Sequence, residues 1–230
     1  MILTWNEKLN AFSFDTNINQ CSKNCELMQN GLKPYCISLK ERFKNFTIWH
    51  NKLNKNEKAL KSANFETIMN KEIREKYLQT RDKTVYIRLY SFGDLSCVED
   101  LIKWCNIART NPNVKFWLST RQDWILDKYF ALSENAEKIK SVQKKPKNLT
   151  IRYSLPLIEG MDMMMQNFDK FGIVYSTITD DKNQANCKKS KLNSSCGKCS
   201  DCWDSSIKII KYFNHGNMLN KLTEYLRFFN

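Results

Sequence analysis

Histidine is nearly missing from this chain of 230 residues, which carries only His50 and His215. That scarcity leaves a histidine-rich metal site, a Ser–His–Asp triad and a Cys–His dyad without support. Glycine is also scarce, at six residues. They form neither a P-loop nor a G-x-G-x-x-G fingerprint, and none clusters as a phosphate cradle, which disfavours nucleotide hydrolysis. No apolar run approaches the roughly 20 residues that a membrane span needs, so no membrane partner is expected. Met1 to Glu7 lack a basic start and an apolar stretch, so no signal peptide is expected. Acids are the minority charge: 24 Asp and Glu face 37 Lys and Arg, a formal net charge of +13. That balance is compatible with nucleic acid or another acidic partner. The excess is mostly lysine in an asparagine-rich chain, a composition that AT-rich coding also favours.

What the chain does have is cysteine, nine in all. A cytoplasmic, reducing location is expected, where clustered cysteines bind metal more often than they form disulfides. Cys196-Gly197-Lys198-Cys199-Ser200-Asp201-Cys202-Trp203 is a C-x2-C-x2-C run, and Cys187 lies nine positions upstream. Three thiolates at this spacing suit three corners of an iron–sulfur cube, with a remote cysteine as the fourth ligand. Structural zinc prefers two separated pairs and is the alternative, with no metal a third reading. Cys21, Cys25 and Cys36 form a second group that could hold a second cluster with one open iron. The C-x3-C of Cys21 and Cys25 opens the signature of radical S-adenosylmethionine enzymes, but Met28 stands where their third cysteine belongs. Cys97 and Cys105 are read as small packing residues on or near the apolar face of a helix.

The length suits one domain over 1–230: an N-terminal cysteine loop and helices at 1–80, a βα core at 81–180, and a cysteine-rich loop with terminal helices at 181–230. Strands are expected at Asn10–Phe14, Val85–Tyr90, Val114–Thr120, Leu149–Ser154 and Gly172–Ile178. Helix is expected from Ile37 to Gln79, broken at Asn51–Asn56, then after a capping box at Ser96 and Glu99, and at Gln122–Val142. A helical turn at Met161–Phe168 and terminal helices at Ser205–Phe213 and Met218–Phe229 complete the reading. The alternation implies an α/β fold: a partial (βα) barrel or an open, mostly parallel sheet. Sites in such folds form at the carboxyl ends of strands. Those ends offer Tyr90, Ser91, Gly93 and Asp94, then Ser119, Thr120 and Arg121, then Ser154, then Ser176 and Thr177. Asp94 and Arg121 are the catalytic candidates; the plainer reading has Asp94 satisfying amides at a helix start. Lys138–Lys147 and Lys182–Lys198 are basic stretches, the second overlapping the cysteine loop.

Several segments together resemble the phage "gene product 88" family. They are Cys36-Ile37-Ser38-Leu39-Lys40, Ile87 to Asp94, Trp104-Cys105-Asn106-Ile107-Ala108, Asn111 to Trp117 with Thr120, and Cys196 to Trp203. Where the family has Cys-Tyr-Ala, this chain has Cys36-Ile37-Ser38. The resemblance implies a phage-related origin and clusters on a radical-enzyme-like α/β scaffold, and it supplies no substrate. The functional expectation is a [4Fe–4S] protein with one or two clusters, and radical, S-adenosylmethionine-dependent or redox chemistry at the strand ends. Simple electron transfer to a redox partner is a further reading. The alternative is a basic nucleic-acid-binding protein with a structural metal.

Overall fold

The structure is a computed structural model and describes residues 2–17, 19, 21, 46–80, 84–137, 145–155, 168–179, 181–192 and 195–213. Seven strands make one sheet in chain order. They are β1 (Thr4–Asn6), β2 (Ala11–Phe14), β3 (Val85–Leu89), β4 (Val114–Thr120), β5 (Leu149–Ser154), β6 (Val174–Thr179) and β7 (Ile209–Phe213). β1 pairs antiparallel with β2; every later neighbouring pair is parallel. The sheet is open, with β1 and β7 as its edges. Helices α1 (Phe46–Lys61), α2 (Phe65–Gln79), α3 (Val98–Thr110) and α4 (Asp123–Glu137) join the strands, and a short α5 (Lys188–Leu192) precedes the cysteine run.

Period-two alternation sorts each strand between two faces. Val85, Ile87 and Leu89 of β3 and Val114, Phe116 and Leu118 of β4 join the core beneath the helices. Leu60 of α1, Phe65, Met69 and Ile73 of α2, Leu101 and Trp104 of α3, and Ile125 and Leu126 of α4 fill that core. Trp104 is fully buried, and its indole N–H donates to the Tyr90 hydroxyl at 3.0 Å. The rings of Phe14 and Phe65 meet it edge-on at 4.8 and 5.3 Å. Burying each such side chain stabilises by about 1.5–3 kcal/mol. The opposite face carries Ala11, Tyr86, Arg88, Trp117, Thr150, Arg152 and Tyr212.

Buried carboxylates tie the pieces together. Glu72 of α2 accepts the backbone N–H of Ile2 at 2.9 Å and of Leu3 at 3.0 Å, fixing the chain just before β1. Asp15, beyond β2, accepts the Phe92 N–H at 3.0 Å. Asp94 accepts the N–H of Leu95 at 2.8 Å and of Arg121, at the end of β4, at 2.9 Å.

Several sequence expectations need correction. α1 runs unbroken through Asn51–Asn56 because the asparagines have tertiary partners. The Asn56 amide donates to the Asp15 carbonyl at 2.9 Å, and Asn54 accepts from Asn17 at 3.1 Å, so they do not compete with the helix backbone. The break falls instead at Ser62, whose hydroxyl turns back onto the Ala59 carbonyl. The capping box is displaced by one residue: Cys97 is the cap position, and Ser96 donates from both N and Oγ to Asp100, while Glu99 is exposed. Cys97 therefore precedes the helix and is half-buried, whereas Cys105 is in the core as expected. The expected helix at Ser205–Phe213 is strand β7 from Ile209 onward. Asp204 there accepts the Ser206 N–H in a tight turn, and the apolar residues that follow extend the parallel ladder beside β6. With β1 this raises the five expected strands to seven among the described residues. The terminal helix at Met218–Phe229 and most of Met161–Phe168 lie outside the described residues.

Gly93 has no room for a side chain. Its φ is +77°, and a Cβ would stand 2.3 Å from Thr16 Oγ1 and 2.7 Å from the Thr16 carbonyl oxygen. Gly93→Ala is expected to cost ~3 kcal/mol or more by urea unfolding. Gly197→Ala, at φ +53° with open space around it, is expected to cost only ~1 kcal/mol.

Candidate metal centre

Arg152 builds this site. It is fully buried in the centre of the sheet, on the face away from the helices. Its Nε donates to the Cys202 carbonyl at 2.9 Å. Nη2 donates to Asp201 and Asp204, each at 2.8 Å, and Nη1 to Ile207 at 3.0 Å and Tyr175 at 3.3 Å. All five N–H donors of the guanidinium therefore end on backbone carbonyls, four of them in the cysteine-rich segment. The Thr150 hydroxyl adds a bond to the Trp203 carbonyl at 2.7 Å, and the Trp203 indole donates to the Ile87 carbonyl at 3.0 Å. Trp203 then packs edge-on against Trp117 and Tyr86 at 5.3 and 5.2 Å.

The loop's other end is pinned as firmly. The Cys196 N–H donates to the Lys8 carbonyl at 2.8 Å, and the Asn10 amide to the Gly197 carbonyl at 3.3 Å. The Cys199 N–H returns to the Cys196 carbonyl at 2.8 Å, closing the turn around Gly197. The Cys187 N–H reaches the Lys211 carbonyl of β7 at 3.1 Å. Cys187, Cys196, Cys199 and Cys202 are each held by or beside a backbone anchor, and all are half-buried.

The charge of Cys187 bears on the other three thiols. Burial pushes the Cys196 thiol up; Lys189 opposes it, and Cys187 and Cys199 add to it. Burial raises Cys199, with the nearby Asp201 charge and Cys187 adding to it. Cys202 is pushed up to about 11 by burial, against the Tyr212 hydroxyl, Arg152 and Arg88. Its Sγ lies 3.6 Å from the Tyr212 hydroxyl. A raised thiol is a poor nucleophile at neutral pH, whereas a bound metal would deprotonate it outright. Among the described residues, no three His, Cys, Asp or Glu side chains stand close enough to hold a metal ion. The donor chemistry is nevertheless that of a metal–sulfur group: three thiols from one loop and a fourth, Cys187, just before a short upstream helix, near two guanidiniums. Arg88 stacks over Trp117 at 4.4 Å; among the described residues its buried Nε–H has no hydrogen-bond partner, nor has the Trp117 indole N–H.

A family model described as gene product 88 matches residues 4–207. The chain belongs to the gene product 88 family. Phage-related origin follows from that membership. No curated protein and no solved structure matches the chain. The match spans every strand through β6 and the whole Cys187–Trp203 segment of this gene product 88 chain. No helix among the described residues is long and apolar enough to cross a membrane.

The other candidates fall into place differently. Of the N-terminal trio, Cys21 is half-buried, and Cys25 and Cys36 lie outside the described residues. Asp94 and Arg121 do meet, through the Arg121 backbone N–H. Asp94 is pushed up to about 6 by burial, against the amides of Arg121 and Leu95 and the Thr120 hydroxyl. Its carboxylate thus ties the segment after β3 to the end of β4. A crevice of about 490 Å³ between α2 and the α3–β4 turn, lined by Asn70, Lys71, Arg74 and Tyr77, lies at the amino end of β4. That is the opposite end from Asp94. Sequence reasoning missed Arg88 and Arg152. The available signal was a single arginine inside Val85–Leu89 and another inside Leu149–Ser154, since buried parallel strands ordinarily read as apolar runs.

Arg152→Met, which leaves carbonyls of Cys202, Asp201 and Asp204 without a donor, is expected to destabilise by about 3 kcal/mol or more. Limited proteolysis should then cut first within 181–208. A pH series provides a second test. Asp15, like Asp94, is pushed up from 3.8 to about 6 by burial. Between those values the folded chain holds protons that the unfolded chain has released. Stability contributed by this protonation is complete below about pH 4 and is lost as pH rises through about 6. The effect is on the order of 3 kcal/mol per carboxyl. Asp15→Asn should flatten the fall in urea-unfolding free energy between pH 4 and 7; an unchanged slope would show that Asp15 does not titrate this way.

Proposed function

We propose that the chain is an iron–sulfur protein whose cluster is held by Cys187, Cys196, Cys199 and Cys202. The feature that supports this most is the two-residue spacing of Cys196, Cys199 and Cys202 on a segment clamped by Arg152, with Cys187 just upstream. A cluster ligated by four thiolates is a net anion, and Arg152 and Arg88 offer the opposite charge beside it. Iron–sulfur is preferred to zinc because three of the thiols follow one another at two-residue spacing on a single turn. Trp117, Trp203 and Leu9 screen one side of the cysteines from water, and Tyr212 places a hydroxyl beside Cys202. When bound, a cluster supplies one-electron transfer or, at an open iron, Lewis-acid chemistry. This reading needs only the C-terminal four cysteines. A second cluster at Cys21, Cys25 and Cys36, and any use of S-adenosylmethionine, rest on the sequence alone. A second reading draws on Lys8, Lys182, Lys188 and Lys198, exposed around the same segment: a nucleic-acid contact in which a zinc ion only shapes the loop.

Anaerobic expression followed by iron, sulfide and zinc analysis decides between them. Wild-type protein should be brown with iron and acid-labile sulfide. Cys187→Ser and Cys199→Ser should lose it, and Cys105→Ser, in the helical core, should keep it. A colourless protein holding zinc alone would sink the iron–sulfur reading and leave the second.

A further inference from the structure

The crevice of about 490 Å³ at the amino end of β4 belongs neither to the cysteine segment nor to the strand-end carboxylates. Its size is that of a small-molecule site. One wall is α2, where Asn70, Arg74 and Tyr77 fall on one face at four- and three-residue spacing and Lys71 stands beside them. The other wall is the turn from α3 into β4, with Pro112 and Asn113. Hydrogen bonds fix both walls. Asn111 Nδ2 donates to Asn70 Oδ1 at 2.7 Å and to the Ile107 carbonyl at 2.8 Å, which ties α2 to the end of α3. The Asn148 amide donates to the carbonyls of Ala108, Asn111 and Val114, each at 2.9 Å, and so pins the turn. The lining is cationic: it holds Lys71 and Arg74 and no Asp or Glu. Both side chains are exposed, and among the described residues neither has an ion-pair or hydrogen-bond partner. Asn70 commits its oxygen to Asn111, which leaves its Nδ2 to donate. The half-buried Tyr77 packs against the core and also lines the crevice. Two unpaired cations, an amide donor and an aromatic ring match a phosphate joined to a flat base.

We propose that this crevice binds a nucleotide unit, with its phosphate at Lys71 and Arg74 and its base against Tyr77. The site is independent of the iron–sulfur reading, and it is separate from the lysines around the cysteine segment. The formal charge of +13 favours a single strand of nucleic acid as the source of that unit. A free mononucleotide offers the same chemistry, and the test separates the two.

The test is fluorescence anisotropy of a short labelled oligo-dT strand with the full chain at about 50 mM salt. Binding is expected. Lys71→Gln combined with Arg74→Gln should weaken it about tenfold or more and reduce the slope of log affinity against log salt by about 0.7 for each lost phosphate contact. An abasic strand of the same length should bind about tenfold less tightly than oligo-dT, a readout that needs no change to the protein. Lys8→Gln combined with Lys198→Gln, at the cysteine segment, should leave the affinity unchanged. Displacement by thymidine monophosphate would support a free nucleotide as the source, and displacement by unlabelled strand alone would support nucleic acid. Three results would each overturn the inference: no binding, binding indifferent to Lys71 and Arg74, or an abasic strand that binds as well as oligo-dT. The iron and sulfide content is read separately, so failure here leaves the iron–sulfur reading standing.

Discussion

A guanidinium buried in the middle of a parallel sheet must find five acceptors, and everything on the far face of this molecule follows from where Arg152 finds them. It takes carbonyls from Cys202, Asp201, Asp204 and Ile207, residues about fifty positions further along the chain. Those carbonyls must point at the sheet, which fixes the direction of the segment that carries them. Trp203 is then set down on Trp117 and Tyr86, and β7 is delivered to the edge beside β6. The loop has little regular structure of its own. Its order comes from one side chain beneath it.

That arrangement also sets the character of the cysteines. Burial disfavours the thiolate, so Cys202 is a weak nucleophile despite two arginines nearby. At the strand ends, Asp15 and Asp94 look like acid–base candidates by position, yet their oxygens are committed to the amides of Phe92, Leu95 and Arg121. Each carboxylate links the end of one strand to the segment following the next.

Much of the central βα unit was legible in the sequence because its signals are local. Val114–Thr120 and Leu149–Ser154 have the expected bounds, since β-branched and aromatic residues bounded by Pro and Asn leave little choice. The membership of the gene product 88 family was legible in the strand–Gly-Asp–helix unit and the cysteine run. What misled were residues whose partners lie far along the chain. The asparagines of α1 read as helix breakers because Asp15 and Asn17 cannot be seen from within the helix. Ile209–Phe213 is short and apolar, and only the exposed edge of β6 makes it a strand. Arg152 was invisible for the same reason: an arginine in a strand is an anomaly until its acceptors are known.

Strand order here equals chain order, and that has a bearing on how the molecule is made. During synthesis each parallel strand emerges after the neighbour it pairs with, so the sheet can be extended edge by edge as the ribosome proceeds. The exception is Arg152, which leaves the ribosome with none of its acceptors from the cysteine-rich segment yet translated. Until residues 201–207 appear, the guanidinium on β5 faces water, and the cysteine loop closes over it only after β5 is made.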